Sequence, residues 1–145
     1  MNERTVGGFL ISRIHYLSGR LLAKKLKVHG LAELNPAQGR ILFVLWKQDQ
    51  ISIQELARAT SLGKSTLTSM LDRLEQSGYI ERIPSPDDRR ITLIATTAKD
   101  LARREAYAGV SQEMSAQFYH GFTPEEIARF ESDLARILLN LEAAQ

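Results

Sequence analysis

Apolar positions fall at helical spacing over most of the 145-residue chain and give way to β-branched runs over one short stretch. Leu10, Ile14, Leu17 and Leu21 recur at alternating intervals of four and three, and Leu22 and Leu26 widen that stripe. The pattern predicts a long amphipathic helix within residues 1–30. Ile127, Phe130, Leu134, Ile137, Leu138 and Leu141 repeat it near the other end. There Thr123 stands as N-cap, Pro124 at the first helical position and Glu126 three residues after the cap, with Phe122 placed to staple onto Ile127. A further helix is predicted after Asn35, with Pro36 at N1, Gln38 at N3 and a mostly buried body of Ile41, Leu42, Val44, Leu45 and Trp46.

The middle of the chain carries the densest signals. Ser52 with Glu55 forms a capping box, and Ile51 can staple to Leu56, so a helix is expected from Ile53 to about Ala59. Thr60-Ser61-Leu62-Gly63 breaks it. From Lys64 a second helix follows, with Leu67, Met70, Leu71 and Leu74 on its buried stripe, ending before Gly78. Tyr79 to Ile83 and Arg89 to Ile94 are rich in β-branched residues and flank Pro84-Ser85-Pro86-Asp87-Asp88, which has turn chemistry. A two-stranded wing is expected there. A long helix from Thr97 to His120, holding Leu101, Tyr107, Val110, Met114 and Phe118, links this segment to the last one.

Two helices, a short turn and a wing outline a winged helix-turn-helix, which makes double-stranded DNA the first partner to consider. The second helix sets Ser65, Thr68, Ser69, Asp72 and Gln76 opposite its apolar stripe, flanked by Lys64, Thr66 and Arg73. Short hydrogen-bonding groups can approach base edges while flanking cations reach phosphates. Arg89 and Arg90 follow the wing tip, where arginine suits a narrow minor groove or a phosphate. Asp88 is placed to hold Arg90, and Ser52, at the entry to the first helix, completes the expected DNA-facing set.

Composition narrows the field. A content of 43% hydrophobic and 25% charged residues is ordinary for a soluble globular chain of one domain's length. No apolar run approaches the length of a membrane span, and Met1-Asn2-Glu3-Arg4 lacks the apolar core of a secretory signal, so a cytoplasmic location is expected. Without cysteine there are no disulfides, thiolate metal sites or thiol-based oxidant sensing. The net charge of +2 is too small to argue nucleic-acid binding, but its distribution is uneven. Residues 1–30 carry six basic groups against one acid, and residues 121–145 carry five acids against two arginines.

Enzyme readings find little support. Gly63-Lys64-Ser65-Thr66 imitates the end of a phosphate-binding loop, but Arg58 stands where that motif needs its first glycine, and a helix is expected where it needs a strand. His15, His29 and His120 are widely separated, with no acid at ligand spacing. No cofactor or bound metal is therefore expected, although a metal-responsive regulator drawing ligands from several helices stays open as an alternative.

The chain resembles the MarR-type transcriptional regulators, named for multiple antibiotic resistance. The likeness rests on Ile53-Gln54-Glu55-Leu56-Ala57, Ser65-Thr66-Leu67-Thr68, Leu71-Asp72-Arg73-Leu74-Glu75, Gly78-Tyr79-Ile80, Asp88-Arg89-Arg90, Leu93 and Thr97. The opening Asn35 to Gln38 and the terminal helices extend it over the whole length. One departure is Thr96-Thr97 where the family has Leu-Thr, which is expected to weaken a buried apolar position. The resemblance implies a mainly α fold with a small β-wing, as one domain over 1–145. Residues 35–95 would be the winged helix-turn-helix lobe, 97–120 a linker helix, and 1–30 and 121–145 the helices of a homodimer.

A dimeric repressor on a pseudo-palindromic operator, released by a small-molecule effector, is the function so implied. The family's effector site lies where dimer helices meet the DNA-binding lobe. That points to Arg13, His15 and Tyr16 on the first helix and to Arg40 and Trp46 on the second. The alternative is a winged helix used for protein contacts, as an interaction module or anti-regulator.

Overall fold

The computed structural model describes residues 4–145. Met1-Asn2-Glu3, on which part of the leader reading rests, lies outside the described residues. The chain forms two compact units, one ending at Ser111 and the other running from Gln112 to Gln145.

The first unit opens with α1 (Gly7–Val28). Its apolar stripe divides: Leu26 is fully buried and Leu21 and Leu22 half-buried, whereas Leu10, Ile14 and Leu17 stand exposed. Next, α2 (Pro36–Lys47) starts at the expected Asn35 cap, and a full capping box forms there, in which Asn35 and Gln38 each accept the other's backbone N–H, at 2.8 and 2.9 Å. Gln38, Gly39, Ile41, Leu42 and Leu45 are buried along it.

A strand absent from the sequence reading comes next. β1 (Ile51–Ser52) pairs antiparallel with a later strand, Ile51 opposite Ile94 and Ser52 opposite Leu93. Ser52 therefore ends a strand and caps α3 (Ile53–Thr60) at once, its hydroxyl accepting the Glu55 N–H at 3.1 Å. Only this half of the expected capping box forms among the described residues.

Ser61 takes a left-handed conformation (φ 57°) and breaks the run before α4 (Lys64–Gln76). Leu67, Leu71 and Leu74 are buried as expected, and Met70 is half-buried. Full burial of such a leucine contributes about 1.5–3 kcal/mol relative to exposure. At the helix end Gly78 N–H reaches Glu75 O at 3.0 Å and Tyr79 N–H reaches Leu74 O at 2.9 Å. This pair of bonds needs a left-handed residue, and Gly78 supplies it at φ 83°. The chain turns sharply there, and Tyr79 ends the turn fully buried instead of opening the strand.

The wing strands are β2 (Ile80–Pro84) and β3 (Thr92–Thr96), antiparallel from Ile80 opposite Thr96 to Pro84 opposite Thr92, in the sheet order β1-β3-β2. Both strands differ from expectation at each end, and β3 runs on to Thr96. Pro84 belongs to the strand, and Arg89, Arg90 and Ile91 do not. Their β-branched neighbourhood loses to local hydrogen bonding, since Arg90 N–H and Ile91 N–H both turn back to Asp88, at 3.0 Å each.

Thr96 also departs from the reading as a weakened apolar position. Its N–H and hydroxyl both donate to the Asp49 carboxylate, at 3.0 and 2.8 Å, fastening the wing base to the segment before β1. Thr97 then caps α5 (Ala98–Phe118), whose first part belongs to this unit. Tyr107 packs so closely over Gly39 of α2 that a Cβ there would collide with the tyrosine hydroxyl.

The second unit holds the last turns of α5 and α6 (Pro124–Ala143). The Thr123 and Glu126 capping box forms in full, with Pro124 in the first turn. Phe122, expected to staple onto Ile127, meets Tyr119 and Phe130, with Phe118 completing an aromatic cluster. No residue of α6 is buried, and Ile137, Leu138 and Leu141 are exposed.

Candidate nucleic-acid interface

The outward face of α4 carries every residue expected on it. Lys64, Ser65, Thr66, Thr68, Ser69, Asp72, Arg73 and Gln76 are all exposed, while the opposite stripe fixes the helix in the core. Lys64, Ser65, Thr68, Ser69 and Asp72 line a shallow hollow of about 640 Å³. Among the described residues, the hydroxyls of Ser65 and Ser69 make no hydrogen bond, whereas that of Thr68 donates to Lys64 O at 2.9 Å.

The wing tip presents its arginines from a fixed frame. Ser85 N–H to Ile91 O, at 2.9 Å, closes the loop. Arg90 Nε and NH2 bind Asp88 Oδ1 and Oδ2, each at 3.0 Å, in a bidentate pair. The Arg90 side chain stays 90% exposed, so the pair orients the guanidinium without hiding it. The Arg90 hydrogen bonds, guanidinium first and backbone N–H second, hold the Asp88 carboxyl below the usual carboxylate range, and Asp88 in turn raises the guanidinium. Arg89 beside it is exposed.

Arg82 is a residue of this surface that sequence reasoning missed. From β2 its NH2 reaches Asp72 at 2.9 Å and its NH1 reaches Glu75 at 2.5 Å, so one guanidinium bridges the wing to α4. The available signal was two acids three apart on one helix, next to a strand with an alternating cation. Asp72 is thus engaged through one oxygen. A second cleft, of about 900 Å³, runs between the start of α3 and the wing tip, with Ser52, Gln54, Glu55 and Arg58 on one side and Ser85 and Asp87 on the other. Ser52 lies here with its oxygen already used as a cap.

The residues considered for an effector are spread over two helices. Arg13 lies 5.9 Å over Phe9, and Tyr16 lies under Arg20 at 5.8 Å; both are exposed, as are His15 and Arg40. Trp46 is engaged in packing. Its Nε1 donates to the wholly buried Asp100 at 2.8 Å, its ring meets Tyr107 edge-on at 4.7 Å, and Arg104 lies over it at 5.7 Å. Among the described residues no three His, Asp or Glu side chains gather as metal ligands would, and no helix is long and apolar enough to cross a membrane.

A half-buried helix with a polar, exposed outer face beside an arginine-tipped hairpin defines a winged helix-turn-helix of the DNA-facing kind. Comparison with known proteins agrees. The MarR family model matches residues 34–92. The multiple antibiotic resistance protein MarR of Escherichia coli K12 is 30% identical over 138 residues, covering 94% of each chain. The transcriptional repressor IacR of Pseudomonas putida is 25% identical over 92% of this chain and 78% of its own. The crystal structure of a mutant E. coli MarR complexed with operator DNA superposes with a TM-score of 0.77 at 30% identity, covering 90% of this chain and 92% of that one. The chain belongs to the MarR family.

Proposed function

We propose that this chain is a sequence-specific, double-stranded DNA-binding transcriptional regulator, a homodimeric repressor released by a small-molecule effector. The observation that carries it is the union of an exposed polar α4 face with Arg90 held outward by Asp88. Lys64, Thr66, Arg73, Arg89 and Arg90 supply phosphate and minor-groove contacts, Ser65, Thr68 and Ser69 meet base edges, and Ser52 keeps a hydroxyl proton for a phosphate. The relative from E. coli, whose mutant binds operator DNA, supports this reading, and IacR's printed role as a repressor supports the sign of regulation.

Dimerisation is supported by the apolar faces of α1 and α6. Leu10, Ile14 and Leu17 on one and Ile137, Leu138 and Leu141 on the other are all at least 40% exposed. A second copy would remove that surface from water. For the effector the family alone argues. Arg13, His15, Tyr16 and Arg40 remain its candidate contacts, since they are exposed, whereas Trp46 has its N–H bound to Asp100. A cytoplasmic location goes with such a role. The protein-contact alternative gains no observation, because the α4 face bears no large apolar group.

Two α4 helices related by a two-fold axis must enter grooves about 34 to 36 Å apart. Selection of duplexes from a random library by the full chain is expected to enrich an inverted repeat with half-sites about one helical turn apart. Failure to enrich any duplex would set this reading aside.

A further inference from the structure

We infer that Thr68 is the residue through which α4 distinguishes thymine, by packing its γ-methyl against the thymine C5-methyl; the inference rests on the DNA-binding reading above. A threonine hydroxyl has one hydrogen to give. That of Thr68 is given to Lys64 O at 2.9 Å, one turn back in the same helix. What Thr68 has left for a partner is an acceptor lone pair and a methyl. Guanine O6 and N7, adenine N7 and thymine O4 all require donors, which Thr68 in this state does not provide; its lone pair suits the adenine and cytosine amines no better than the hydroxyls of Ser65 and Ser69 do, so the γ-methyl is what sets Thr68 apart. The thymine methyl requires only apolar contact.

Its neighbours have different chemistry. Ser65 and Ser69 have hydroxyls that make no hydrogen bond among the described residues, so each can donate or accept and adapts to more than one base edge. Asp72 is tied to Arg82 through one oxygen, and Lys64 carries an exposed cation suited to a phosphate. Among the five residues lining the hollow on α4, Thr68 alone has a methyl group. It also lies in the first half of the helix, the part that meets base edges in helix-turn-helix docking.

The test uses the full-length chain and a duplex that it selects from a random pool. Each thymine of that duplex is replaced in turn by deoxyuridine, which removes the C5-methyl and nothing else. Binding is measured for the wild type, for Thr68→Ser, which lacks the methyl, and for Thr68→Val, which keeps it and loses the hydroxyl. Thr68 is exposed, so both variants retain the α4 packing. At one thymine per half-site, deoxyuridine is expected to weaken the wild type about fourfold, the effect of one buried methyl. Thr68→Val is expected to keep that penalty and Thr68→Ser to lose it. If the penalty persists in Thr68→Ser, or if no thymine carries one, the Thr68 assignment falls while DNA binding stands. If the wild type selects no duplex, the DNA-binding reading falls first.

Discussion

Tyr79 shows how single side chains hold the DNA-facing elements in place. Its ring is fully buried, its hydroxyl donates to Glu33 and accepts from Arg103 at 3.3 Å, and Lys99 lies 5.1 Å over the ring. Burial first, and the Glu33 hydrogen bond second, push its pKa up to about 12 from an ordinary 10.0. The folded value exceeds the unfolded one, so this contribution to stability is complete below pH 10.0 and disappears as the pH rises through about 12. Denaturant midpoints are therefore expected to fall over that alkaline window, and Tyr79→Phe is expected to flatten the fall. A wild-type midpoint that stays constant there would contradict the network. None of this was visible in sequence, because Glu33, Tyr79 and Arg103 are far apart in the chain. Thr96 failed the reading for the same reason: its partner, Asp49, is brought to it only by folding.

At the scale of elements, legibility followed the range of the interactions. The Asn35 and Thr123 caps read correctly because both partners lie within one helical turn, and the α4 stripe because periodicity alone specifies it. β1 was missed because two residues have no period, and its pairing with β3 joins Ile51 to Ile94. The wing was recognised, but its second strand was started three residues early. β propensity at Arg89 to Ile91 yields there to the hydrogen-bonding reach of Asp88.

The Arg82 bridge also belongs to this scale, since it ties β2 to α4. Its pairs are partly exposed and expected to contribute at most about 1 kcal/mol each to stability. Arg82→Ala is therefore expected to shift thermal unfolding little while weakening affinity for the selected duplex severalfold, because wing and recognition helix no longer share a fixed frame. Loss of folding with no separate loss of affinity would mean that Arg82 serves the core alone. Calorimetry and duplex titration on one preparation separate the two outcomes.

For the whole molecule, net charge is a poor guide, and the arrangement of charge is a better one. A formal charge of +2 gave no argument for DNA, yet the wing and α4 set Lys64, Arg73, Arg89 and Arg90 out of the core around a polar face. The terminal stripes were read correctly as amphipathic. That Leu10, Ile14 and Leu17 would remain uncovered while Leu26 of the same helix is buried required the fold.

The central claim is that α4 and the wing form one DNA-binding surface, used in duplicate. Its most direct test is the salt dependence of affinity for the selected duplex, in the wild type and in Arg90→Ala. Each phosphate contact contributes about −0.9 to the slope of log affinity against log salt. Loss of one arginine from each of two protomers is expected to make that slope shallower by about two. An Arg90→Ala slope equal to that of the wild type would contradict the account.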